Sequence, residues 1–380
     1  MKKTILAVAL SGAATTAAYA QSSVTLYGLI DSGITYTNNE GGHSNWSATD
    51  GMTQGSRFGL TGSEDLGGGL KAVFRLENGF SLTNGNFDQN GRAFGRQAYV
   101  GLSSDKGGTV TLGRQYDDVV DYLAPLSLTG TQYGGTEFAH PFDNDNLANS
   151  FRINNSVKYQ SANYGGLKFG ALYGFSNSSD GFSNNRAYSV GTSYNYGGLN
   201  VAAAYMQLNN DPNNLQQAVS DPGAVTGDAT FAAGRQRTWG AGVNYAFGRA
   251  QAGFVFTQTR LDDAVGINAA NAGTTGNLAL NGDARFNNYE VNARYQLTPA
   301  LNVAAAYTYT SGSMNGASPK WQQVGLQSSY ALSKRTDIYL QGVYQHVSTD
   351  GLNIGANING MSASSNNKQV AVTTGIRHRF

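Results

Sequence analysis

The most constraining feature of this sequence is an alternation of period two that keeps ionisable side chains on one register. Along residues 369–380, Val370, Val372, Thr374, Ile376, His378 and Phe380 interleave with Gln369, Ala371, Thr373, Gly375, Arg377 and Arg379. Leu167, Phe169, Ala171, Tyr173 and Phe175 alternate with Lys168 and Gly170 in the same way. Tyr289, Val291, Ala293, Tyr295 and Leu297 likewise oppose Glu290, Asn292, Arg294 and Gln296. Successive side chains of a strand point to opposite faces, so each segment presents one apolar and one polar face. A helix would scatter the same Lys, Arg and Asn around its whole circumference. Strand is the reading that fits.

Sixteen such segments follow one another, near 23–36, 56–64, 70–80, 96–103, 108–116, 153–162, 167–175, 186–196, 199–208, 237–247, 250–260, 285–297, 301–311, 321–332, 335–347 and 368–380. Each is near the roughly 9–11 residues that a tilted strand needs to cross a bilayer. Their connections alternate in length. Short turns fall at 65–69, 104–107, 163–166, 197–198, 248–249, 298–300 and 333–334, and long loops rich in Gly, Asn and Ser fill the other gaps. An even number of antiparallel strands with short turns at one end and long loops at the other predicts an all-β, sixteen-stranded antiparallel transmembrane barrel.

Composition agrees. Charged residues make up 13% of the chain and Gly 50 of its 380 residues, with no Cys, which excludes a disulfide scaffold and thiolate metal sites. Residues 1–20 read as an export signal: Lys2 and Lys3, an apolar or small stretch from Thr4 to Ala18, then Ala18-Tyr19-Ala20 as the cleavage site. Residues 21–380 are then one barrel domain. Losing Lys2 and Lys3 leaves 23 basic against 24 acidic residues, a net charge of −1. No later segment reaches the 18 or more apolar residues of a spanning helix, yet an exported chain can still enter a membrane as a closed barrel.

The sharpest test is where the charges fall. With the aromatic and aliphatic register outward, the opposite one carries Asp31, Arg57, Lys71, Arg75, Glu77, Arg152, Lys158, Lys168, Glu290, Arg294, Asp337, Arg377 and Arg379. An Arg or Lys facing mid-bilayer costs roughly 2–4 kcal/mol, whereas a watery lumen accepts it. Lipid therefore lies outside and water inside, with Tyr36, Tyr196, Tyr205, Tyr295 and Tyr309 suited to interfacial girdles.

The motifs Ser22-Ser23-Val24-Thr25-Leu26-Tyr27-Gly28, Ser56-Arg57-Phe58-Gly59-Leu60, Glu64-Asp65-Leu66-Gly67-Gly68-Gly69-Leu70-Lys71-Ala72 and Gly113-Arg114-Gln115-Tyr116 resemble the general diffusion porins of Gram-negative bacteria, in particular the betaproteobacterial branch. The resemblance spans residues 21–380 and implies an outer-membrane channel, usually trimeric, for small hydrophilic solutes and ions. Membrane lipids and lipopolysaccharide would surround it. It also implies that the third external loop folds inward, and that terminal Phe380 serves as an assembly signal.

That third loop, about 117–152, is the longest and holds Asp117, Asp118, Asp121 and Glu137, as well as Asp143 and Asp145. With Glu77 they are expected to form an acidic rim. The resemblance carries a facing arginine cluster onto Arg57, Arg96 and Arg152, to which alternation adds Arg75. Arg96 faces the lumen only if Tyr99 faces lipid; Arg114 is expected near the rim. Lysines and arginines outnumber acids nine to four among the inward charges, which predicts a weak to moderate anion preference.

Rival readings are weaker. The histidines His43, His140, His346 and His378 stand in no catalytic or metal-ligand spacing, so neither an enzyme nor a cofactor is called for. Asp143-Asn144-Asp145-Asn146 lacks the Gly and late Glu of a calcium loop. No basic patch suits nucleic acid. A substrate-specific channel would favour aromatics along the lumen, and adhesion alone does not require so many lumen charges.

Overall fold

A computed structural model describes residues 23–179, 181–210, 223–225, 230–267 and 279–380. The expected export signal, residues 1–20, lies outside them. The described strands, in chain order, are β1 (Ser23–Glu40), β2 (His43–Asp50), β3 (Arg57–Gly67), β4 (Leu70–Gly79), β5 (Gln97–Ser104), β6 (Gly108–Gln115), β7 (Ile153–Gln160), β8 (Leu167–Gly174), β9 (Arg186–Tyr196), β10 (Leu199–Asn209), β11 (Phe231–Phe247), β12 (Ala250–Ile267), β13 (Ala279–Gln296), β14 (Leu301–Ser313), β15 (Lys320–Ala331), β16 (Thr336–Ser348) and β17 (Lys368–Arg379).

The lower half of β1 pairs with β3, from Ser23↔Ser63 to Leu29↔Arg57. Its upper half pairs with β2, from Ser32↔Asp50 to Glu40↔His43. β2 and β3 are thus one barrel strand interrupted at residues 51–56, and among the described residues sixteen strands span. From β3 onward each strand pairs antiparallel with the next, and β17 returns to β1 from Leu29↔Arg379 to Thr37↔Ala371. Closure leaves no continuous open edge, as lipid requires. It is completed by Phe380, whose N–H and C=O bond the C=O and N–H of Gly28, each at 3.1 Å.

The two registers separate sharply. Val291 is 54% exposed and its neighbour Glu290 1%; Ile376 is 50% exposed and Arg377 1%. Outward-facing Leu26, Val100, Leu112, Leu326 and Leu340 continue an apolar belt that, on a water-soluble molecule, would be a large aggregation surface. Tyr196, Tyr245, Phe247 and Tyr295 stand exposed beside the short turns, where an amphipathic ring suits the interface.

Two features depart from the expected strand map. β2 is absent from it because His43–Asp50 is almost wholly polar. β11, β12 and β13 run past the expected ends, to Phe231, Ile267 and Ala279. Their extensions carry Phe231, Leu261 and Leu280 into a buried cluster with Phe286, Phe142 and Trp321. Their apolar side is therefore the inner one, the reverse of the membrane belt, which hides them from a register rule.

At the β1–β17 seam, a Cβ on Gly28 would sit 2.2 Å from the Phe380 ring. Gly28→Val should push that ring away and cost about 1–3 kcal/mol by overpacking. The folded band in unheated detergent electrophoresis should then give way at a lower temperature; an unchanged melting profile would contradict this role.

Candidate channel constriction

The interior is shaped by residues 117–152, which leave β6 and lie against inward-facing residues of the wall. Helical turns at Val119–Leu123 and Ala124–Leu126 pack on β9, β10 and β11. The wall is hollowed to receive them: a Cβ on Gly191 would come 2.5 Å from Tyr122, and one on Gly325 2.4 Å from the Phe138 ring.

Polar anchors complete the seat, with Glu290 of β13 at their centre. It accepts from Ser127 Oγ (2.5 Å), Leu128 N–H (3.0 Å) and Asn292 Nδ2 (2.6 Å), and lies 3.1 Å from His140 Nε2. One buried carboxylate thus holds two arms of the loop. The other His140 nitrogen is 2.6 Å from Asp145, which also accepts from Thr257 Oγ1 at 2.5 Å. Burial opposes the charged imidazole, but attraction to Asp145 and bonds to both carboxylates prevail and raise its pKa to about 10. Burial likewise opposes charge on Asp145, and His140 holds its pKa below the usual carboxylate value.

Between those two arms, at the tip of the loop, Met52 C=O accepts from Thr136 N–H at 2.9 Å. Residues 51–56 turn inward there: Asp31 accepts from Thr53 N–H (3.1 Å), Thr53 Oγ1 (2.5 Å), Gln54 N–H (2.8 Å) and Tyr339 OH (2.7 Å). Arg377 reaches Gln132 C=O at 3.1 Å and pairs with Asp337 at 2.8 Å, and Arg379 also pairs with Asp337.

Between this loop and β3–β5 lies a cavity of about 310 Å³ whose lining includes Arg57, Arg75, Arg96, Arg152 and Glu77. Arg96 Nε donates to Glu77 Oε1 at 2.7 Å, and its other arm donates to Tyr116 OH at 2.9 Å. Tyr27 OH donates to the second Glu77 oxygen at 2.8 Å. Arg75 stacks over Tyr27 and Arg152 over Tyr116, each 5.7 Å from the ring centroid.

Arg96 reaches the lumen by a route other than the expected one. Tyr99 and Gln97 line the interior, while Val100 and Leu102 face out. Arg96 precedes β5, so strand parity does not bind it. Arg114 is buried near the end of β6, donating to Gly95 C=O at 2.7 Å and Asn154 Oδ1 at 2.5 Å.

The expected acidic rim is not how the loop's carboxylates are arranged. Asp117, Asp118 and Glu137 are fully buried. Asp117 accepts from Val119 and Val120 N–H and from Asn146; Asp118 accepts from Ser189 and Glu137 from Thr373. Burial pushes the pKa of Asp117 up to about 6 and that of Glu137 up to about 7, so Glu137 is partly protonated at neutral pH. Asp121 pairs with Lys158, away from the arginine cavity. Unpaired carboxylates are costly to bury, so backbone and hydroxyl donors of loop and wall claim them. Only Glu77 among the expected acids lines the arginine cavity.

The remaining inward charges are spread along the wall. Lys168 and Arg294 line a cavity of about 680 Å³ toward the short turns, and Lys71 pairs with Asp105 at 3.4 Å beside a turn. The His140–Asp145–Glu290 network escaped sequence reasoning because its members lie five and 150 residues apart. Its only signal was a lone acid on the inward register of β13.

The His140 charge predicts a pH limit for the loop's seat. With the folded pKa above the unfolded value of about 6.5, its contribution is complete below that value and is lost as pH rises through about 10. Open-channel noise should grow above pH 10 in the native protein and vary less with alkaline pH in His140→Gln; identical pH profiles would contradict the seat. Glu290→Ala should cost about 3–5 kcal/mol by orphaning its buried partners and produce a larger, noisier conductance. A quiet channel of native conductance would count against the hub.

Comparison with known proteins agrees with this architecture. A family model described as Gram-negative porin matches residues 6–352. An outer membrane porin protein of Bordetella pertussis is 34% identical over 414 residues, covering 100% of both chains. Outer membrane porin protein 32 of Delftia acidovorans is 30% identical over 390 residues, again covering 100% of both. The solved anion-selective porin from Comamonas acidovorans superposes with a TM-score of 0.73 at 26% identity, over 95% of this chain and 100% of that one. With a closed sixteen-stranded barrel, a lipid-facing belt and a charged interior already in place, this chain belongs to the Gram-negative porins and is a general diffusion channel of the outer membrane.

Proposed function

We propose that this porin passes small hydrophilic solutes with a weak to moderate preference for anions, set where residues 117–152 narrow the lumen against Arg57, Arg75, Arg96 and Arg152. The observation that carries the reading is the charge of that cavity: four guanidinium groups against one carboxylate, Glu77, leave a formal excess of three. The anion-selective description of the Comamonas acidovorans relative supports the same reading.

Magnitude decides between weak and strong selectivity. Three excess charges about 8 Å from an ion in water-like dielectric, screened over one Debye length, stabilise a monovalent anion by about 0.6 kcal/mol. That enriches anions about threefold and depletes cations similarly. A transverse field between separated basic and acidic walls has less support, because the loop's acids are buried.

Assembly belongs to the same proposal: a homotrimer, as the family resemblance implies, with outer-membrane lipids and lipopolysaccharide around it. No channel reading here requires an enzymatic group or a cofactor.

In planar bilayers under a KCl gradient, the native channel should give a reversal potential of anion-selective sign, growing as ionic strength falls. The double variant Arg75→Gln, Arg152→Gln should move it toward zero with the barrel intact. Cation preference in the native protein, or no shift in the variant, would overturn the reading.

A further inference from the structure

A second stretch of chain enters the barrel besides residues 117–152. The loop after β16, residues 349–367, turns back between inward-facing side chains of β16, β17 and β1. Gln345 Oε1 accepts from Asn357 N–H at 2.6 Å and Gln369 Oε1 from Ile358 N–H at 2.7 Å. Gln369 Nε2 then donates to Ser362 C=O at 2.7 Å and to Asn39 C=O at 2.8 Å. Ile358 is fully buried, packing with Leu128 and Phe138 of the constriction loop. Asn359 Nδ2 donates to His140 C=O at 2.8 Å, tying this loop to the anchored arm of the other.

The segment does more than brace its neighbour. Asn359, Gly360, Met361 and Ser362 form one side of a cavity of about 420 Å³ whose other side includes Arg96 and Arg152. Those two arginines also line the constriction cavity, so the two spaces adjoin. Ser362 is exposed within this antechamber, while Met361 before it is buried and Ala363 after it half-buried.

We propose that residues 359–362 form a second fixed wall of the channel, and that the side chain at Ser362 determines the size and charge of solutes reaching Arg96 and Arg152. The inference rests on the reading that the arginine cavity conducts, and goes beyond it by giving specificity to an element outside the constriction loop. A fixed wall follows from its anchoring: three of the loop's backbone groups, the Asn359 side chain and a buried isoleucine hold it, so a charge placed there stays near the path.

The chain has no cysteine, which allows a direct test in the full-length protein. Ser362→Cys is reconstituted in planar bilayers and treated from the loop side with anionic sulfonatoethyl or cationic trimethylammonioethyl methanethiosulfonate. Both reagents should lower the conductance, and they should shift the reversal potential in opposite directions. Ser362→Glu and Ser362→Lys supply the same comparison without labelling chemistry. Two charges about 8 Å from the path, screened over one Debye length, should separate their anion-to-cation permeability ratios about fourfold. Asp350→Cys, on the outer start of the loop where Asp350 bonds Ser318 N–H, should respond far less. Complete labelling at position 362 with unchanged conductance and reversal potential would overturn the proposal, as would equal ratios for the Glu and Lys variants. If the native channel instead proves cation-selective while Ser362 labelling still blocks, the arginine reading fails and the second wall stands.

Discussion

Everything in this molecule depends on satisfying backbone hydrogen bonds where no water is available to do so. In a bilayer each unpaired N–H or C=O costs several kcal/mol, and a sheet meets that demand only by closing on itself. Closure here is made by β1 against β17 and finished by the exchange between Phe380 and Gly28. Once the ladder is closed, the period-two pleat leaves no freedom in where side chains go. One register meets acyl chains and the other the lumen, so charge has a single place to sit.

A sixteen-stranded barrel leaves an aqueous lumen, and the chain fills part of it with its own loops. Burying loop backbone inside a barrel creates the same hydrogen-bonding demand again, now met by inward polar side chains. Glu290, Asp31, Gln345 and Gln369 each accept from loop donors, and Arg377 donates to a loop carbonyl. This explains why acids dominate the loop's composition without dominating the channel's field. Asp117, Asp118 and Glu137 are occupied in holding the loop, while the arginines opposite keep guanidinium faces on the cavity. The proposed anion preference would thus arise from an asymmetry of use rather than of number, in a chain whose ionisable groups nearly balance.

The barrel was legible because its signal is repetitive: alternation in Leu167–Gly174 or Lys368–Arg379 needs no knowledge of distant residues. Strand parity also placed Arg75, Glu77 and Lys158 inside. Parity fails where the strand stops. Arg96 precedes β5, residues 51–56 break the second barrel strand, and the upper parts of β11–β13 turn apolar side chains inward. The seat of the loop was illegible for another reason. Contacts such as His140 with Glu290, or Tyr122 in the space left by Gly191, join residues far apart with no local pattern.

The central claim is that one register meets lipid and its neighbour water, and accessibility along a single strand tests it most directly. Nitroxide labels placed singly at Val243, Asn244, Tyr245 and Ala246 of β11, in membrane-reconstituted protein, report collision with lipid-soluble oxygen or with a water-soluble nickel complex. The account predicts strict alternation, with oxygen dominant at Val243 and Tyr245 and nickel at Asn244 and Ala246. Uniform accessibility, or a period near 3.6 residues, would contradict it.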